Sequence, residues 1–315
     1  MSTDRVGPTA AIVVLNWNGI EHLRVLLPSL DAAVATGPRA AIVVVDNRST
    51  TGDVDWIRAH HPRVEVIVAA RNDYLFSLNP VVAGRAEDVV VILNNDMRVD
   101  PGFLGPLLTH FADPSVFAAT ARVLDWDGTR QTTGRRRMAL RNCWYYQWWE
   151  LSVSEPVQTL DAGGGCAAFR RAYFVELGGF DPLFRPAYYE DIDLSYRAWM
   201  RGWRTVFEPR SVIYHREGAT LWDRDRDARH RAMLARNQAL FTMKNVGGWG
   251  FLAGYLAMAP LRVVRSALGG DPHTARGLVR ALPRAARAIA ARARRRRPVL
   301  SADAIRRAID TGLAP

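Results

Sequence analysis

The amino-acid sequence predicts an α/β fold with a mostly parallel sheet and flanking helices, followed by a helical basic extension at the C-terminus. Four apolar runs rich in Val and Ile each end abruptly in polar residues, which is typical of strands buried on both faces. Segments of about 20 residues separate the runs, enough for helical crossovers between parallel strands. The chain of 315 residues is long enough for one large domain, or for one domain and an appendage.

The polar residues after the four runs are the candidate ligand-binding residues of the first half. In open α/β sheets, ligands bind just beyond the carboxyl ends of the strands. These ends carry Asn16, Asn18 and Gly19 after residues 10–15, Asp46, Asn47 and Ser49 after residues 40–45, Arg71 and Asn72 after residues 64–69, and Asn94, Asn95 and Asp96 after residues 89–93. Three of the four runs therefore end directly in a carboxylate or an amide at one edge: Asn16, Asp46, and Asn94 with Asp96. Coincidence is the weaker explanation.

Residues 89–104 are the stretch around which the chain is organised, because Asp96 follows an unbroken apolar run there. A single Asp after a strand is more often a turn former or helix cap than a ligand. However, the sequence contains neither GxGxxG after the first run nor GxxxxGK[ST], so a dinucleotide fold or a P-loop lacks its phosphate cradle. A divalent cation held by Asp96 would neutralise phosphates instead, since hard cations prefer carboxylate oxygen.

Residues 130–150 combine three consecutive arginines, Arg135 to Arg137, with a dense aromatic cluster that includes Trp148 and Trp149. The aromatic side chains could stack on sugar rings or face a membrane interface. Packing into the core of a second subdomain is an equally good interpretation, because aromatic residues bury the largest areas. For the arginines, a solvated loop is favoured over a phosphate site.

A glycine triplet and an acidic cluster follow in the second half. Gly163, Gly164 and Gly165 permit close backbone approach to a ligand, although they are equally compatible with a tight turn. Glu190, Asp191 and Asp193 lie at the start of a segment with helical spacing, where carboxylates also cap a helix. His215 ends another short apolar run, and a single His is usually structural or exposed.

The net charge of +11 is concentrated near the C-terminus. Residues 276–307 contain eleven arginines and one acidic residue, Asp303, and carry +10, so the rest of the chain is nearly neutral. We therefore expect no nucleic-acid partner.

The C-terminal segment, residues 248–315, is predicted to attach the protein to a membrane without crossing it. Residues 250–260 are apolar, but Arg262 and Arg265 follow, so no run approaches the ~20 residues of a spanning helix. Further on, Arg276, Arg280, Arg284 and Arg287 recur at helical spacing, interleaved with Val279, Leu282, Ala286 and Ile289. Such a basic amphipathic helix suits an anionic membrane surface. A helix packed on the body and an RNA-binding tail are the alternatives.

The termini and cysteines point to the cytoplasm. The polar N-terminus lacks the apolar core of a secretory signal. Cys143 and Cys166 are the only cysteines in the sequence, with no metal-binding spacing, and are expected to be reduced and packed as small apolar residues.

Five separated motifs resemble glycosyltransferase family 2, the inverting, nucleotide-sugar-dependent transferases of the Rossmann-like GT-A fold. The resemblance covers about residues 10–245. It implies a glycosyltransferase domain of residues 1–247, with a nucleotide-sugar half (1–104) and an acceptor half (105–247). The motifs are VVLNWNG, VVDNRST, LNNDMRVDPGFL, GGFDPLF with YYEDIDLSYR, and SVIYHREGAT. The resemblance implies sugar transfer from a nucleoside-diphosphate sugar to a glycan or lipid-linked glycan in cell-envelope biosynthesis.

The resemblance also assigns roles to residues. Asn16, Asp46 and Arg71 would hold the nucleobase and ribose, within a donor-binding set that also contains Asn18, Asn47, Asn72, Asn79, Asn94 and Asn95. Asp96 would bind Mg²⁺ or Mn²⁺, with His215 on the same cation or on the diphosphate. Asp191 would be the catalytic base, and the acceptor side would comprise Gly163, Gly164, Gly165, Trp148, Trp149 and Glu190.

The chain departs from the family pattern at two places. Asn94-Asn95-Asp96 leaves one carboxylate where the family has Asp-x-Asp or Asn-Pro-Asp, which predicts weak metal binding aided by the donor phosphates. Tyr74, Phe76 and Leu78 replace glycines between Asn72 and Asn79, which predicts a reshaped donor pocket. By family likeness alone, the donor is a dTDP- or UDP-sugar, with dTDP-rhamnose first.

Two other functions remain to be distinguished from sugar transfer. A membrane-bound scaffold or sugar-binding module could retain the fold without turnover, and hydrolysis of a donor by the purified protein would exclude it. A sugar nucleotidyltransferase would need a glycine-rich, basic N-terminal loop, which LNWNG does not provide.

Overall fold

A ten-stranded sheet forms the centre of the computed structural model, which describes residues 7–216 and 224–312. The first strands along the chain are β1 (Ala10–Asn16), β2 (Ala40–Asp46), β3 (Glu65–Val68) and β4 (Val89–Asn94). They are parallel and lie in the order β3-β2-β1-β4. Asn16 lies opposite Asp46, and Leu15 opposite Asn94, so the carboxyl ends of β1, β2 and β4 share one edge as predicted.

These strands are uniformly apolar because both faces of the sheet are covered. Alternate residues point to opposite faces, so Val13 and Ile92 pack into one hydrophobic core while Val14 and Val91 pack into the other. The helices of this half are α1 (Ile20–Thr36), α2 (Asp53–His60) and α3 (Leu78–Gly84), with a 3-10 turn at Tyr74–Ser77.

The second half of the sheet is mixed. The later strands are β5 (Met97–Val99), β6 (Val116–Asp125), β7 (Gln131–Thr133), β8 (Arg135–Arg141), β9 (Trp144–Glu150), β10 (Val157–Gln158), β11 (Cys166–Arg170) and β12 (Arg204–His215). Strand β11 is antiparallel to both β4 and β6, and β12 is parallel to β6. The parallel sheet predicted from the four runs is therefore extended by antiparallel pairings that their pattern does not reveal.

The arginine and aromatic segment forms a separate antiparallel hairpin, β8-β9. Tyr145 is fully buried and packs edge-on against Phe241, whereas Trp148 is 43% exposed. The expected solvated loop at the three arginines is wrong. Arg135 is buried and pairs with Glu150, and the other two pair with carboxylates elsewhere: Arg136 with Asp161 and Arg137 with Asp310.

Helices cover the remaining faces and continue to the C-terminal region. They are α4 (Leu104–Thr109), α5 (Arg171–Glu176), α6 (Glu190–Trp199), α7 (Arg224–Asn245), α8 (Trp249–Leu268), α9 (Pro272–Arg294) and α10 (Ala302–Thr311), with 3-10 turns at His110–Ala112 and Pro182–Phe184. Cys143 and Cys166 are free thiols, and only Cys166 is buried.

The C-terminal helices pack on the body of the protein. Leu278 and Ala281 of α9 and Ile305 of α10 belong to the same hydrophobic core as the sheet. Arg292 of α9 is 3% exposed and donates to carbonyl groups at the end of α7, including those of Thr242 and Val246. Part of the positive charge of this segment therefore caps a helix rather than facing solvent.

Helix α8 corrects one sequence-based expectation. The two arginines do not interrupt it, and the helix of 20 residues is long and apolar enough, by length and composition alone, to cross a membrane. Of its residues, only Leu252 and Tyr255 are buried. Leu261, Val264 and Leu268 are 49%, 52% and 84% exposed, so α8 presents an apolar face to its surroundings.

Candidate active site

A cavity of about 420 Å³ opens at the carboxyl edge of β1, β2 and β4. Its lining includes nine of the residues predicted from sequence: Asn47, Asn72, Asn94, Asn95, Asp96, Gly164, Gly165, Glu190 and Asp191. Residues from both halves of the chain thus meet at one site. The pairing of β11 with β4 brings the glycine segment to this edge, since the backbone N–H of Asn94 donates to the Gly165 carbonyl at 3.1 Å.

Asn16 and Asp46 support the cavity instead of lining it. Both side chains are at most 1% exposed. The Asp46 carboxylate accepts from the Asn16 amide at 3.0 Å and from the Ser49 hydroxyl at 2.6 Å. Asn16 in turn accepts from the Asn95 amide at 2.7 Å. Asn16 therefore holds the Asn95 side chain at the cavity, while the contact of Asn16 and Asp46 with the donor stays a prediction.

Asn47 is the residue of the second strand end that faces the cavity. Its amide nitrogen donates to the Tyr74 carbonyl at 3.1 Å. Its side-chain oxygen is buried and has no partner among the described residues. A buried acceptor without a partner costs free energy, so a ligand with a donor group would complete this position.

Asp96 and His215 lie together, as the predicted metal site requires. Strand β5 pairs with β12 so that Met97 lies opposite His215, which places His215 Nε2 3.3 Å from Asp96 Oδ2. The second oxygen of Asp96 is buried and has no partner among residues 7–216 and 224–312.

This pair fits an incompletely caged divalent cation. Within the described part of the chain, no group of three or more His, Cys, Asp or Glu residues could hold a metal ion. One carboxylate and one imidazole leave most coordination positions open, which suits cations that are bound jointly by a protein carboxylate and substrate phosphates.

Asp191 lines the cavity from the first turn of α6. Its Oδ2 accepts from the Gly164 amide at 3.2 Å and its Oδ1 from the Ile192 amide at 2.8 Å. The helix begins after Tyr189, whose φ of 75° produces the turn that directs the following residues inward.

The other two carboxylates of this turn have different environments. Glu190 is 6% exposed, and burial together with the charges of Asp191 and Asp193 raises its pKa to about 8. Glu190 is therefore protonated at neutral pH. Asp193 is fully buried away from the cavity, where it pairs with Lys244 and Arg197. Positions one or two residues apart on a helix do not share one face, and the three carboxylates accordingly point in different directions.

The glycine triplet makes room mainly for neighbouring protein atoms. A Cβ on Gly164 would lie 2.6 Å from Leu75, and one on Gly165 would lie 2.5 Å from Asn94. A Cβ on Gly163 would lie 2.7 Å from the Cys166 sulfur. Because these glycines are small, the 72–77 segment and the strand edge can approach them closely. The sequence predicted close approach of a ligand here and did not predict these contacts with the protein.

Several predicted site residues lie outside the cavity. Asn18 is exposed and accepts from the Thr50 amide at 2.8 Å. Arg71 is exposed and pairs with Asp73 next to a separate cavity of about 630 Å³. Asn79 binds the backbone of Phe180 through both its amide atoms, each at 2.9 Å. These three side chains organise loops around the site.

Trp148 and Trp149 also lie outside the cavity, on β9. The Arg137 guanidinium lies 5.8 Å from the Trp148 ring, and that of Arg136 lies 3.7 Å from the Trp149 ring. The structure therefore gives no support to sugar stacking on either residue within this cavity.

Three aromatic residues line the cavity, of which only Tyr74 was expected from the sequence, as a bulky residue of the donor pocket. Trp17, Tyr74 and Tyr188 are 56%, 53% and 42% exposed, although large aromatic side chains are usually buried. The available signal was their position within the motifs, since Trp17 lies between two predicted asparagines. The sequence also did not single out Asp161. Burial raises the pKa of this carboxyl group to about 6, despite its ion pair with Arg136.

Comparison with known proteins decides the family. The family model described as glycosyltransferase like family 2 matches residues 8–233. The chain belongs to this family. The sequence-based predictions of a family 2 glycosyltransferase and of its GT-A fold are thereby confirmed.

Two relatives align with most of this family 2 chain. It is 28% identical to the N-acetylglucosaminyl-diphospho-decaprenol L-rhamnosyltransferase of Mycobacterium tuberculosis, over 82% of this chain and 93% of that protein. It is also 28% identical to an O-antigen biosynthesis protein of Myxococcus xanthus, over 68% of this chain and 18% of that protein.

Solved structures show the same fold. GalNAc-T7 with UDP, GalNAc and Mn²⁺ is similar with a TM-score of 0.59 and 20% identity, covering 82% of this chain and 51% of that chain. The mannosyltransferase of Pyrobaculum calidifontis with GDP-Man and Mn²⁺ has a TM-score of 0.55 and 17% identity, covering 90% and 76%. Both proteins were solved with a nucleotide or nucleotide sugar and Mn²⁺.

Proposed function

We propose that this family 2 enzyme transfers a sugar, with inversion, from a nucleoside-diphosphate sugar to a hydroxyl group of a lipid-linked glycan. The observation that carries the proposal is that two groups suited to this chemistry line one cavity: Asp96, which lies beside His215, and Asp191. Single displacement at an anomeric carbon needs a stabilised leaving group on one face and a base on the opposite face.

The donor would occupy the strand-edge side of the cavity. The unpartnered oxygen of Asn47 is available to accept from a nucleobase N–H, and the exposed rings of Trp17 and Tyr74 are available for stacking. Leu75 reduces the space near Gly164, which supports a reshaped donor pocket. A dTDP- or UDP-sugar is proposed, with dTDP-rhamnose first because a relative is named as an L-rhamnosyltransferase.

Asp96 and His215 would hold Mg²⁺ or Mn²⁺ beside the donor diphosphate. When bound, such a cation stabilises negative charge on a leaving phosphate. The protein contributes the free oxygen of Asp96 and the adjacent imidazole, both of which are fixed by the pairing of β5 with β12.

Asp191 would remove the acceptor proton. As the acceptor oxygen forms its bond to the anomeric carbon, the bond from that carbon to the diphosphate breaks, and the proton passes to the Asp191 carboxylate. The Gly164 amide holds the carboxylate in place. Glu190 is protonated at neutral pH because of its pKa of about 8, so it adds no second negative charge beside Asp191.

The same proposal places the enzyme at a membrane surface. A relative is named for an acceptor carried on diphospho-decaprenol. The exposed apolar face of α8 and the exposed arginines of α9, including Arg276 and Arg287, suit an anionic lipid surface. Peripheral attachment would bring the cavity to an acceptor that is already held in the membrane.

The test is sugar transfer by purified protein with Mg²⁺ or Mn²⁺, dTDP-rhamnose and a lipid-linked acceptor. Asp191→Asn retains the size of the side chain but cannot accept a proton at neutral pH. Its turnover number should fall ~10² to 10⁴-fold, while the affinity for the free nucleoside diphosphate stays unchanged.

Asp55→Asn is the matched control, because Asp55 is exposed on α2 and the variant makes the same chemical change. It should transfer at the wild-type rate. Transfer by Asp191→Asn at the wild-type rate would refute the role of Asp191. Absence of transfer and donor hydrolysis with every dTDP-, UDP- and GDP-sugar would favour the scaffold alternative.

A further inference from the structure

Arg236 and Arg284 meet at the carbonyl group of Arg185. Arg236 is on α7, and its guanidinium donates to the Arg185 carbonyl at 2.7 Å. Arg284 is on α9 and donates to the same carbonyl at 2.8 Å and to that of Leu183 at 3.2 Å. Since both groups reach one oxygen atom, the two guanidinium groups lie side by side.

This cluster, Arg236, Arg280 and Arg284, has no acidic partner in the described part of the chain. Ion pairs within residues 7–216 and 228–312 include Arg136 with Asp161 and Arg197 with Asp193, but no carboxylate of these residues pairs with any of the three. Burial, followed by the charges of Arg284 and Arg280, lowers the pKa of Arg236 to about 10. Half-buried like charges repel one another, and a bound anion would relieve this repulsion.

The cluster is connected to the cavity through a single loop. Asn237, next to Arg236, donates to the carbonyls of Ala187 and Tyr188 at 2.8 and 2.7 Å. Ala187 and Tyr188 line the cavity together with Asp191. The 185–188 segment therefore joins the cluster to the cavity.

The surface next to the cluster is partly apolar. Val279 and Leu282 are on the exposed side of the same helix, α9, and are 52% and 65% exposed. A ligand that combines phosphate with a hydrocarbon chain matches this combination of cations and exposed apolar side chains. Arginine is suited to phosphate because its planar group can donate two parallel hydrogen bonds.

We propose that Arg236, Arg280 and Arg284 bind the diphosphate of a prenyl-diphosphate-linked acceptor, with the prenyl chain leaving along Val279 and Leu282. This proposal rests on the proposed function only where it identifies the ligand as the acceptor. The binding site itself does not depend on sugar transfer. It would hold the acceptor by its diphosphate and leave the sugar hydroxyl free to reach Asp191.

The test measures binding of farnesyl diphosphate, inorganic pyrophosphate and farnesol by calorimetry, with no sugar transfer involved. Wild-type protein should bind farnesyl diphosphate more tightly than either other probe. Arg280→Gln, at an exposed position, should weaken this binding about 10-fold, as expected for loss of a charged hydrogen bond. Arg236→Gln with Arg284→Gln should abolish it.

Arg307→Gln is the matched control, because Arg307 is exposed on α10 and the change in net charge is the same. It should leave all three affinities unchanged. UDP affinity with Mn²⁺ and the melting temperature should be unchanged in Arg280→Gln, which separates this site from the donor site and from unfolding.

Farnesyl diphosphate binding that Arg280→Gln does not weaken would overturn the site. Equal affinities for farnesyl diphosphate and pyrophosphate would overturn the assignment to a lipid-borne diphosphate. Because the assay is independent of transfer, farnesyl diphosphate binding by a protein that transfers no sugar would count against the proposed function and not against this site.

Discussion

Asp96 shows how one side chain acquires its role from a partner far along the chain. The turn after β4 places the Asp96 carboxylate at the sheet edge, and β12 supplies His215 by pairing with β5. One oxygen then remains buried without a partner among the described residues. The cost of that arrangement is offset if a cation completes it.

Asp96→Asn should weaken binding of Mn²⁺ in the presence of UDP at least ~10-fold, because even residues that only support metal ligands contribute this much. Electron paramagnetic resonance of free Mn²⁺ measures this without enzyme activity. Asp55→Asn serves as the control with an equal change in charge. Unchanged Mn²⁺ binding by Asp96→Asn would place the metal elsewhere.

The sequence identified the edge of the sheet but not the direction of every side chain there. Apolar runs ending in Asn and Asp predict a ligand-binding edge from general properties of parallel sheets. Whether such a residue faces the cavity depends on partners elsewhere in the chain. Asn16 faces Asp46 and Asp53, whereas Asn47, adjacent to Asp46, lines the cavity. These partners are not apparent from local sequence.

At the scale of elements, the first turn of α6 separates three adjacent carboxylates into different roles. Asp191 faces the cavity, Glu190 is buried and protonated, and Asp193 is ion-paired in the core. Helical geometry predicts that neighbouring positions point in different directions. It does not identify which direction meets Lys244, because that partner comes from α7.

Asp193→Asn should destabilise the fold by about 3–5 kcal/mol, because it leaves the buried charge of Lys244 with a weaker partner. Urea unfolding measures the change, and Asp310→Asn, at a half-buried ion pair with Arg137, should cost less. An equal or smaller loss in Asp193→Asn would show that the buried pair contributes little.

Asp193 in the first turn of α6 also predicts that the stability of the fold depends on pH. Burial alone would raise the pKa of Asp193, but the ion pairs with Lys244 and Arg197 outweigh it and hold the pKa below its ordinary value of 3.8. The stability from Asp193 is therefore fully present above that value and is lost as the pH falls below it. The stability difference between wild type and Asp193→Asn should shrink in this range.

The β8-β9 hairpin shows why the sequence could not assign its arginines. A run of three arginines has the local character of a solvated loop. In the structure, alternation along β8 directs Arg136 towards Asp161, while Arg135 and Arg137 reach α10 through the Ile309 carbonyl and Asp310. The α10 partners lie more than 170 positions away along the chain, so only the tertiary fold reveals them.

At the scale of the whole molecule, the C-terminal region combines a packed inner side with an apolar and basic outer side. The inner side contributes Leu278 and Ile305 to the main core. Removal of residues after 247 would therefore damage the core and is not a clean test of membrane attachment. Substitutions on the exposed faces of α8 and α9 are the sharper experiment.

The outer side predicts attachment to anionic membranes. Leu261, Val264 and Leu268 of α8 are exposed, and their insertion into a lipid interface would remove apolar area from water. Their combined substitution by Gln should reduce co-sedimentation with vesicles of phosphatidylglycerol and phosphatidylcholine at least ~10-fold. Higher salt should weaken binding of the wild-type protein, since exposed arginines of α9 contribute attraction that ions screen.

Val68→Gln with Val175→Gln is the matched control, because these residues are 46% and 41% exposed on other parts of the surface. This variant should sediment with vesicles as the wild-type protein does. Circular dichroism should show that both proteins are folded. Equal sedimentation of the α8 variant would show that its apolar face does not contact lipid. Sedimentation that is independent of salt and of phosphatidylglycerol would exclude the contribution of the α9 arginines, because their attraction requires anionic lipid.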